Sequence, residues 1–141
     1  MARFTLGTGT YAINIMQVHE VLQPLQLIQV PGAPDFVEGI AELRGEYLPI
    51  IDLRRRMGLP LDSDYKVVVA DVRGRRVGLV VDQVIDVFRV HGERVAPLDA
   101  LAASAAFSGV IKDGDGAIMV IDPDGLVSDL EAGALSALGP G

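Results

Sequence analysis

The chain has 141 residues, half of them apolar, with a net charge of −7 and no cysteine. This apolar content is enough to bury a core, which excludes a disordered chain, and the length fits one domain or two small subdomains. The charge argues against general nucleic-acid binding, no apolar run is long enough to span a membrane, and the missing cysteines exclude disulfides and thiolate sites.

The pattern along the chain predicts mostly β structure, because short runs of valine, isoleucine and leucine alternate with turns that contain glycine. The N-terminal segment lacks the apolar core of a signal peptide, so we expect a cytoplasmic protein. We predict strands over residues 4–6, 11–15, 27–30, 40–43, 47–52, 66–72, 77–81, 110–112 and 117–121. We predict short helices over residues 16–22, 53–57 and 98–103, and a flexible tail over residues 132–141.

Three glycine-containing segments are predicted to be tight hairpin turns. Arg73-Gly74 and the run from Asp113 to Gly116 each supply the positive φ that a two-residue hairpin needs. The segment Gly7-Thr8-Gly9-Thr10-Tyr11-Ala12 formally fits a nucleotide-binding fingerprint, which requires a following helix. Because an alternating strand pattern follows instead, we interpret its glycines as a hairpin turn.

An internal repeat divides the chain into two related units. Residues 11–22 align with 77–88, and residues 39–52 align with 109–122, with matching glycines, β-branched positions and a closing Ile-Asp. The units would cover residues 1–60 and 61–131, and each is too small to be stable alone. We therefore expect two small β-barrels that share an interface. Chance similarity between two valine-rich segments is the alternative.

The chain offers little catalytic or metal-binding chemistry. Neither His19 nor His91 has a second histidine three or four residues away to complete a zinc pair. Asp113 and Asp115 lack the later ligands of a calcium loop, and a hairpin explains them. No phosphate loop or nucleophile elbow is present. We therefore predict a protein that is not an enzyme and has no cofactor.

The three consecutive arginines at positions 54–56 concentrate positive charge in an otherwise acidic chain. Such a run is either a solvated face or a contact surface for a partner.

Several segments taken together resemble the chemotaxis coupling protein family, the CheW-like domains. The most specific are Pro31-Gly32-Ala33-Pro34, Gly39-Ile40, Leu43-Arg44-Gly45 and the run from Leu48 through Asp52 to Arg54, supported by residues 18–21 and 78–82 with Val84 and Val87. The resemblance covers residues 4–130 and implies a single CheW-like domain over residues 1–131. The implied fold is a pair of intertwined, five-stranded SH3-like barrels with short helices.

The resemblance implies a non-catalytic adaptor that couples chemoreceptors to a CheA-type histidine kinase. One barrel would contact the kinase's homologous regulatory domain, and a groove near the Leu-Arg-Gly turn would meet the helical hairpin at the receptor's cytoplasmic tip. The adaptor would be cytoplasmic, associated with membrane receptor arrays through its partners, without membrane insertion or nucleic-acid binding. It could also form rings with homologous domains.

The resemblance also assigns candidate contact residues. The candidates for receptor binding are Arg44, Leu43, Gly45 and Glu42, and those for the kinase or the receptor are Val18, Glu20, Val84, Val87 and Arg54. The guanidinium of Arg44 can donate several hydrogen bonds to a helix, or it can pin its own barrel to the neighbouring one. For the valines, ordinary core packing is the alternative.

One residue departs from the family pattern. The family usually has asparagine directly before Leu-Arg-Gly, whereas this chain has Glu42. If its side chain faces the groove, Glu42 could pair with Arg44 and retune receptor contact. Two other functions stay open: the same adaptor in a chemosensory pathway controlling pili or development, and a β-barrel that senses a small molecule.

Overall fold

The computed structural model describes residues 1–91, 94–98 and 106–136. Its strands are β1 (Ala2–Leu6), β2 (Gly9–Ile13), β3 (Val18–Leu22), β4 (Gly39–Leu43), β5 (Glu46–Asp52), β6 (Lys66–Val72), β7 (Arg75–Val81), β8 (Gln83–Val87), β9 (Val95–Pro97), β10 (Phe107–Asp113) and β11 (Gly116–Ile121). Its helices are α1 (Leu53–Arg56) and α2 (Asp129–Ser136), with 3-10 turns at Ile15–Gln17 and Pro123–Leu126. Among these residues, no helix is long and apolar enough to cross a membrane.

The strands form two sheets. The first sheet has the order β8-β1-β2-β11-β10-β9, and the second has the order β3-β6-β7-β5-β4. Neighbouring strands are antiparallel except for β2 with β11 and β5 with β7, which are parallel. This confirms the predicted mostly β fold with two five-stranded units, the first of which gains β9 as a sixth strand.

The internal repeat is visible in the order of the strands. The sequence alignment pairs β2 with β7, β3 with β8, β4 with β10 and β5 with β11, and it extends to β1 with β6. When each strand of the second sheet is replaced by its counterpart, the order β3-β6-β7-β5-β4 becomes β8-β1-β2-β11-β10, which is the first sheet. A bulge also recurs at equivalent positions, His19 in β3 and Ile85 in β8. Chance similarity does not explain this agreement.

The two repeat units exchange strands. β2 lies in the first sheet, but β3, which follows it after one short turn, lies in the second; β7 and β8 make the reverse crossing. The first sheet therefore uses segments from residues 2–13 and 83–121, and the second uses segments from residues 18–52 and 66–81. The predicted division at residue 60 does not coincide with a boundary between the sheets.

Among the described residues, the buried apolar side chains form three clusters. The largest lies between the sheets and includes Phe4 and Ile13 of the first with Ile51 and Leu79 of the second. The other two clusters each belong to a single sheet. β6 contributes alternate residues to two clusters, so both of its faces are buried. This explains why its sequence is a nearly continuous valine run.

The predicted helix over residues 16–22 is wrong. Only Ile15–Gln17 is helical, as one 3-10 turn in which the Asn14 side chain accepts a hydrogen bond from the amide of Met16. The next five residues form β3 and pair with β6, because Val-His-Glu-Val-Leu alternates between half-buried and exposed positions with the period of a strand. The predicted strand over 11–15 correspondingly ends at Ile13.

Other elements also differ from the prediction. The predicted strand over 27–30 is a single bridge between Ile28 and Ile40. β8 and β9 were not predicted. The helix predicted over 98–103 falls, after Leu98, outside the described residues. Where the sequence predicted a flexible tail from residue 132, α2 continues to Ser136 and buries Leu135; residues 137–141 lie outside the described residues.

The predicted turns and the helix after β5 are confirmed. Arg73 and Gly74 have φ of 53° and 77° between β6 and β7, and Gly7 has φ of 60° in the hairpin between β1 and β2. α1 begins at its cap, Asp52, and ends before Gly58, which has φ of 71°. The fingerprint-like glycines therefore form a hairpin turn and do not precede a helix.

Strand exchange predicts that neither half of the chain folds alone. We expect separate chains of residues 1–62 and 63–141 to be largely unfolded by circular dichroism, because each lacks strands of both sheets. When the two are mixed in equal amounts, we expect a β spectrum and a cooperative thermal transition. A cooperative transition in either isolated half would contradict the prediction.

Candidate interaction surface

The Leu-Arg-Gly segment forms a strained two-residue turn between β4 and β5. Leu43 pairs with Glu46, which leaves Arg44 and Gly45 at the tip with φ of 50° and 83°. These angles are those of a type I′ turn, which suits glycine at both positions. An arginine held in the left-handed region has to be compensated by contacts elsewhere.

Within the chain, Arg44 makes an ion pair with Glu20 of β3. Nη1 of Arg44 donates to Oε1 of Glu20 at 3.2 Å, and Nη2 donates to the second carboxylate oxygen. Since β3 and β4 are the two edges of the second sheet, this pair joins opposite edges of a curled sheet. The hydrogen bonds from Arg44 lower the pKa of Glu20, and the same bonds raise the pKa of Arg44.

Arg44 therefore supports its own barrel and also remains available on the surface. Its side chain is 66% exposed, whereas that of Glu20 is 29% exposed. Gly45 lies beside open space, where an added Cβ would meet no atom within 4 Å. Leu43 differs from both, because it packs against the apolar cluster of the second sheet.

Glu42 does not pair with Arg44. Its side chain is exposed, and the charge of Arg44 is stabilised first by Glu20 and more weakly by Glu46. Among the described residues, Glu42 takes part in none of the ion pairs of this sheet.

Val18 and Val84 occupy equivalent positions in the repeat, and the structure gives them the same environment. Both are half-buried and pack against the core between the sheets. Val87 is different, since it is 63% exposed and lies near the exposed Ile85 at the bulge of β8. Core packing thus accounts for Val18 and Val84, and Val87 lies on the surface.

Arg54 is buried, with only 4% of its side chain exposed. Its Nε and Nη2 donate to the two carboxylate oxygens of Asp52 at 3.1 and 2.9 Å, and Nη1 donates to the carbonyl of Asp62 at 2.6 Å. Asp82 lies 3.6 Å from the same Nη1. Arg54 therefore holds the loop after α1 and has almost no surface to offer a partner, although the sequence placed it among the contact residues.

The other two arginines of the run are also anchored. Nε of Arg55 lies 2.9 Å from a carboxylate oxygen of Glu38. Nε of Arg56 donates to the carbonyl of Leu126 at 2.7 Å, and its other nitrogens bind the carboxylate of Glu131 in α2. The hydrogen bonds from Arg56 lower the pKa of Glu131. The run is therefore not a freely solvated face.

Sequence reasoning missed the exposed apolar side chains beside β3. Met16 is 84% exposed, Val21 is 43% exposed and Ile15 is 40% exposed. They were missed because residues 16–22 were predicted to be a helix, and a helix would have placed some of these apolar side chains on its buried face. Recognition of the strand alternation in Val-His-Glu-Val-Leu would have placed Val21 on the outside.

In the first sheet the acidic residue that corresponds to Glu20 is also paired, but with an arginine of the adjacent strand β1. Asp86 takes the repeat position of Glu20, and Nε of Arg3 donates to it at 2.9 Å. Arg3 also lies 3.6 Å from Asp113 at the end of β10 and stacks over the ring of Phe88. The hairpin tip equivalent to Arg44 is Gly114, which carries no side chain for a partner.

Comparison with known proteins identifies relatives along the whole fold. The family model described as the CheW-like domain matches residues 1–131. A chemotaxis protein CheW of Klebsiella aerogenes is 34% identical over 134 residues, which cover 91% of this chain and 81% of that protein. Protein PilI of Pseudomonas aeruginosa is 33% identical over 107 residues, covering 69% and 58% of the two chains. The crystal structure of the scaffolding protein TtCheW from Thermoanaerobacter tengcongensis has a TM-score of 0.80 at 29% identity and covers 90% of each chain.

The burial of Arg54 predicts a large effect on stability. Replacing it with methionine leaves the Asp52 carboxylate buried without its partner, and breaking a buried pair costs about 3–5 kcal/mol. We expect the free energy of unfolding of Arg54→Met, measured by urea denaturation, to be lower than that of the unmodified chain by this amount. Arg76→Met is the matched control, because Arg76 makes only an exposed pair at 3.5 Å with Glu46, worth at most about 1 kcal/mol. Equal stability of the two variants would contradict the buried role.

Proposed function

The chain belongs to the CheW-like domain family, and we propose that it is a non-catalytic adaptor that couples chemoreceptors to a CheA-type histidine kinase. The observation that carries the proposal is the family match over residues 1–131, which spans both sheets. The relative of similar fold is described as a scaffolding protein, and we extend that role to this chain. An adaptor needs exposed contact surfaces on a rigid frame, and two such surfaces are available.

We propose that the first surface, around Arg44 and Glu20, binds the receptor. We call it the receptor-facing surface and define it as Glu20, Glu42, Arg44, Gly45 and Tyr47. Glu20 holds the guanidinium in place, so little side-chain entropy remains to be lost on binding. The exposed N–H groups of the Arg44 guanidinium can donate hydrogen bonds to the carboxylates and terminal carbonyls of a helical hairpin.

We propose that the second surface, around β8, binds the regulatory domain of the kinase. Ile85 and Val87 project from the edge strand of the first sheet and are each more than half exposed. Val84 packs beneath them against the core and fixes the bulge that presents Ile85. Exposed apolar side chains on a rigid edge strand are typical of a protein interface.

We further propose that the protein works in the cytoplasm, held at membrane receptor arrays through its partners, and that it can join homologous domains in a ring. A ring needs two different surfaces on each member. The surface around Val87 would supply one of them, and the surface around Arg44, on the other sheet, would remain open to the receptor.

The similarity to protein PilI favours a second candidate, the same adaptor in a chemosensory pathway with another output, such as pili. Affinity purification of the tagged full chain from its native cells separates the two by the receptor and kinase recovered. Recovery of a bound metabolite in native mass spectrometry, without either partner, would instead favour a ligand-sensing barrel.

Reversing the charge of Arg44 should abolish receptor binding. We expect Arg44→Glu to lose binding to a receptor cytoplasmic fragment in isothermal titration calorimetry, since it repels Glu20 and removes the donors. The fold should survive, because the Arg44 side chain is mostly exposed and that of Glu20 is only partly buried. The double variant Glu20→Arg with Arg44→Glu rebuilds the internal pair with reversed charge, and it should fold normally while still failing to bind. Normal receptor binding by Arg44→Glu would overturn the assignment.

Placing a charge at Val87 should weaken kinase binding selectively. We expect Val87→Glu to lower affinity for the isolated kinase regulatory domain at least about tenfold, because it puts a carboxylate in the apolar centre of the interface. Receptor binding should be unchanged. Val21→Glu is the matched control, because Val21 holds the equivalent exposed position on β3. Equal loss of kinase binding in both variants would contradict the assignment of separate surfaces.

A further inference from the structure

We propose that Glu42 determines partner specificity on the receptor-facing surface, by selecting a helix that carries a lysine or arginine next to an apolar side chain. This inference rests on the proposed function, because it specifies the chemistry of the partner at the same surface. It does not depend on Arg44 itself making the dominant contact.

The direction of the Glu42 side chain follows from its neighbours on β4. Ala41 is fully buried and Leu43 packs in the apolar cluster of the second sheet. Because alternate residues of a strand point to opposite faces, Glu42 points to the outer face. Directly across the hairpin lies Tyr47, which is 47% exposed. A carboxylate and an aromatic ring therefore stand side by side on an exposed surface.

The nearby cations are already engaged. Arg44 binds both carboxylate oxygens of Glu20, and Nη1 of Arg76 lies 3.5 Å from Glu46. Glu42 lies within ion-pair distance of no lysine, arginine or histidine of the described residues. Glu42 therefore presents an uncompensated negative charge beside Tyr47. This carboxylate makes no ion pair that would stabilise the folded protein.

A carboxylate next to an exposed tyrosine ring fits one kind of side chain best. A lysine or arginine can place its charge on Glu42 while its alkyl stem or guanidinium covers the ring of Tyr47. An aspartate or glutamate at the same place on the partner would be repelled, so the surface discriminates by repulsion as well as by attraction. An apolar neighbour on the partner helix would complete the cover over the ring.

The test uses the purified full chain and soluble fragments of the receptor cytoplasmic tip encoded by the source genome, with affinity measured by calorimetry at low and moderate salt. We expect Glu42→Gln to weaken binding about tenfold at low salt and to reduce the salt dependence. Glu42→Lys should weaken it further. Substituting glutamate for the contacting lysine or arginine of the fragment should then restore binding to Glu42→Lys and not to the unmodified chain.

Glu46→Gln is the matched control, because Glu46 is an exposed carboxylate on the same hairpin that already has a cation beside it. It should leave affinity unchanged within about twofold. If Glu42→Gln binds the receptor fragment as tightly as the unmodified chain while Arg44→Glu does not, the inference is overturned and the adaptor function stands. If the unmodified chain binds no receptor fragment, the proposed function fails together with the inference. Loss of kinase binding alone in Glu42→Gln would also overturn the inference.

Discussion

Strand exchange between the two repeat units is the constraint on which the rest of this fold depends. In each unit the third strand leaves its own hairpin and pairs with the first strand of the other unit. The largest apolar cluster consequently draws on both sheets. Neither sheet can be completed without the other half of the chain, and burial of the shared cluster is coupled to closing long-range loops. The shared core thereby fixes how the surface around Arg44 is oriented relative to the surface around Val87.

The strand exchange is stabilised by two sets of polar contacts at equivalent positions of the repeat, which we call polar clasps. Asp52 and Asp122 cap the turns that follow β5 and β11. After the first, Arg54 lies beside Asp82, whose carboxylate accepts the amide of Gly7 in the hairpin of the other sheet at 2.7 Å. After the second, Asp124, the repeat counterpart of Arg54, accepts the amide of Arg73 at 2.7 Å. The hairpin turn at Arg73 is thus held directly by the capped turn of the opposite sheet, and the turn at Gly7 is held through Asp82, which lies beside the buried Arg54.

Patterns that depend on local chemistry were predictable from the sequence, and patterns that depend on distant pairing were not. Glycine turns and valine runs identified most strands, and the repeat anticipated a topology of two matched sheets. β3 was taken for a helix because its partner β6 is distant along the chain, and the alternation of so short a run was overlooked. The burial of Arg54 could not be read from a run of three arginines, since only the positions of Asp52 and Asp62 in space decide it. The position of Arg44 in the bend between two strands, in contrast, was predicted from its motif.

The repeat also separates framework from function. Residues that the two units share serve the fold. A residue that differs between the units also serves the fold where its side chain is buried and paired, as in Arg54, and otherwise points to a role that the fold does not require. The hairpin tip equivalent to Arg44 is Gly114, the unstrained residue for that backbone. The other arginine in the left-handed region, Arg73, is accounted for by its bonds to the carbonyls of Asp124 and Val127. Arg44 instead makes only an exposed pair, which is weak compensation for backbone strain. A strained arginine on the surface, at a position where glycine would suffice, supports the proposal that Arg44 contacts a partner.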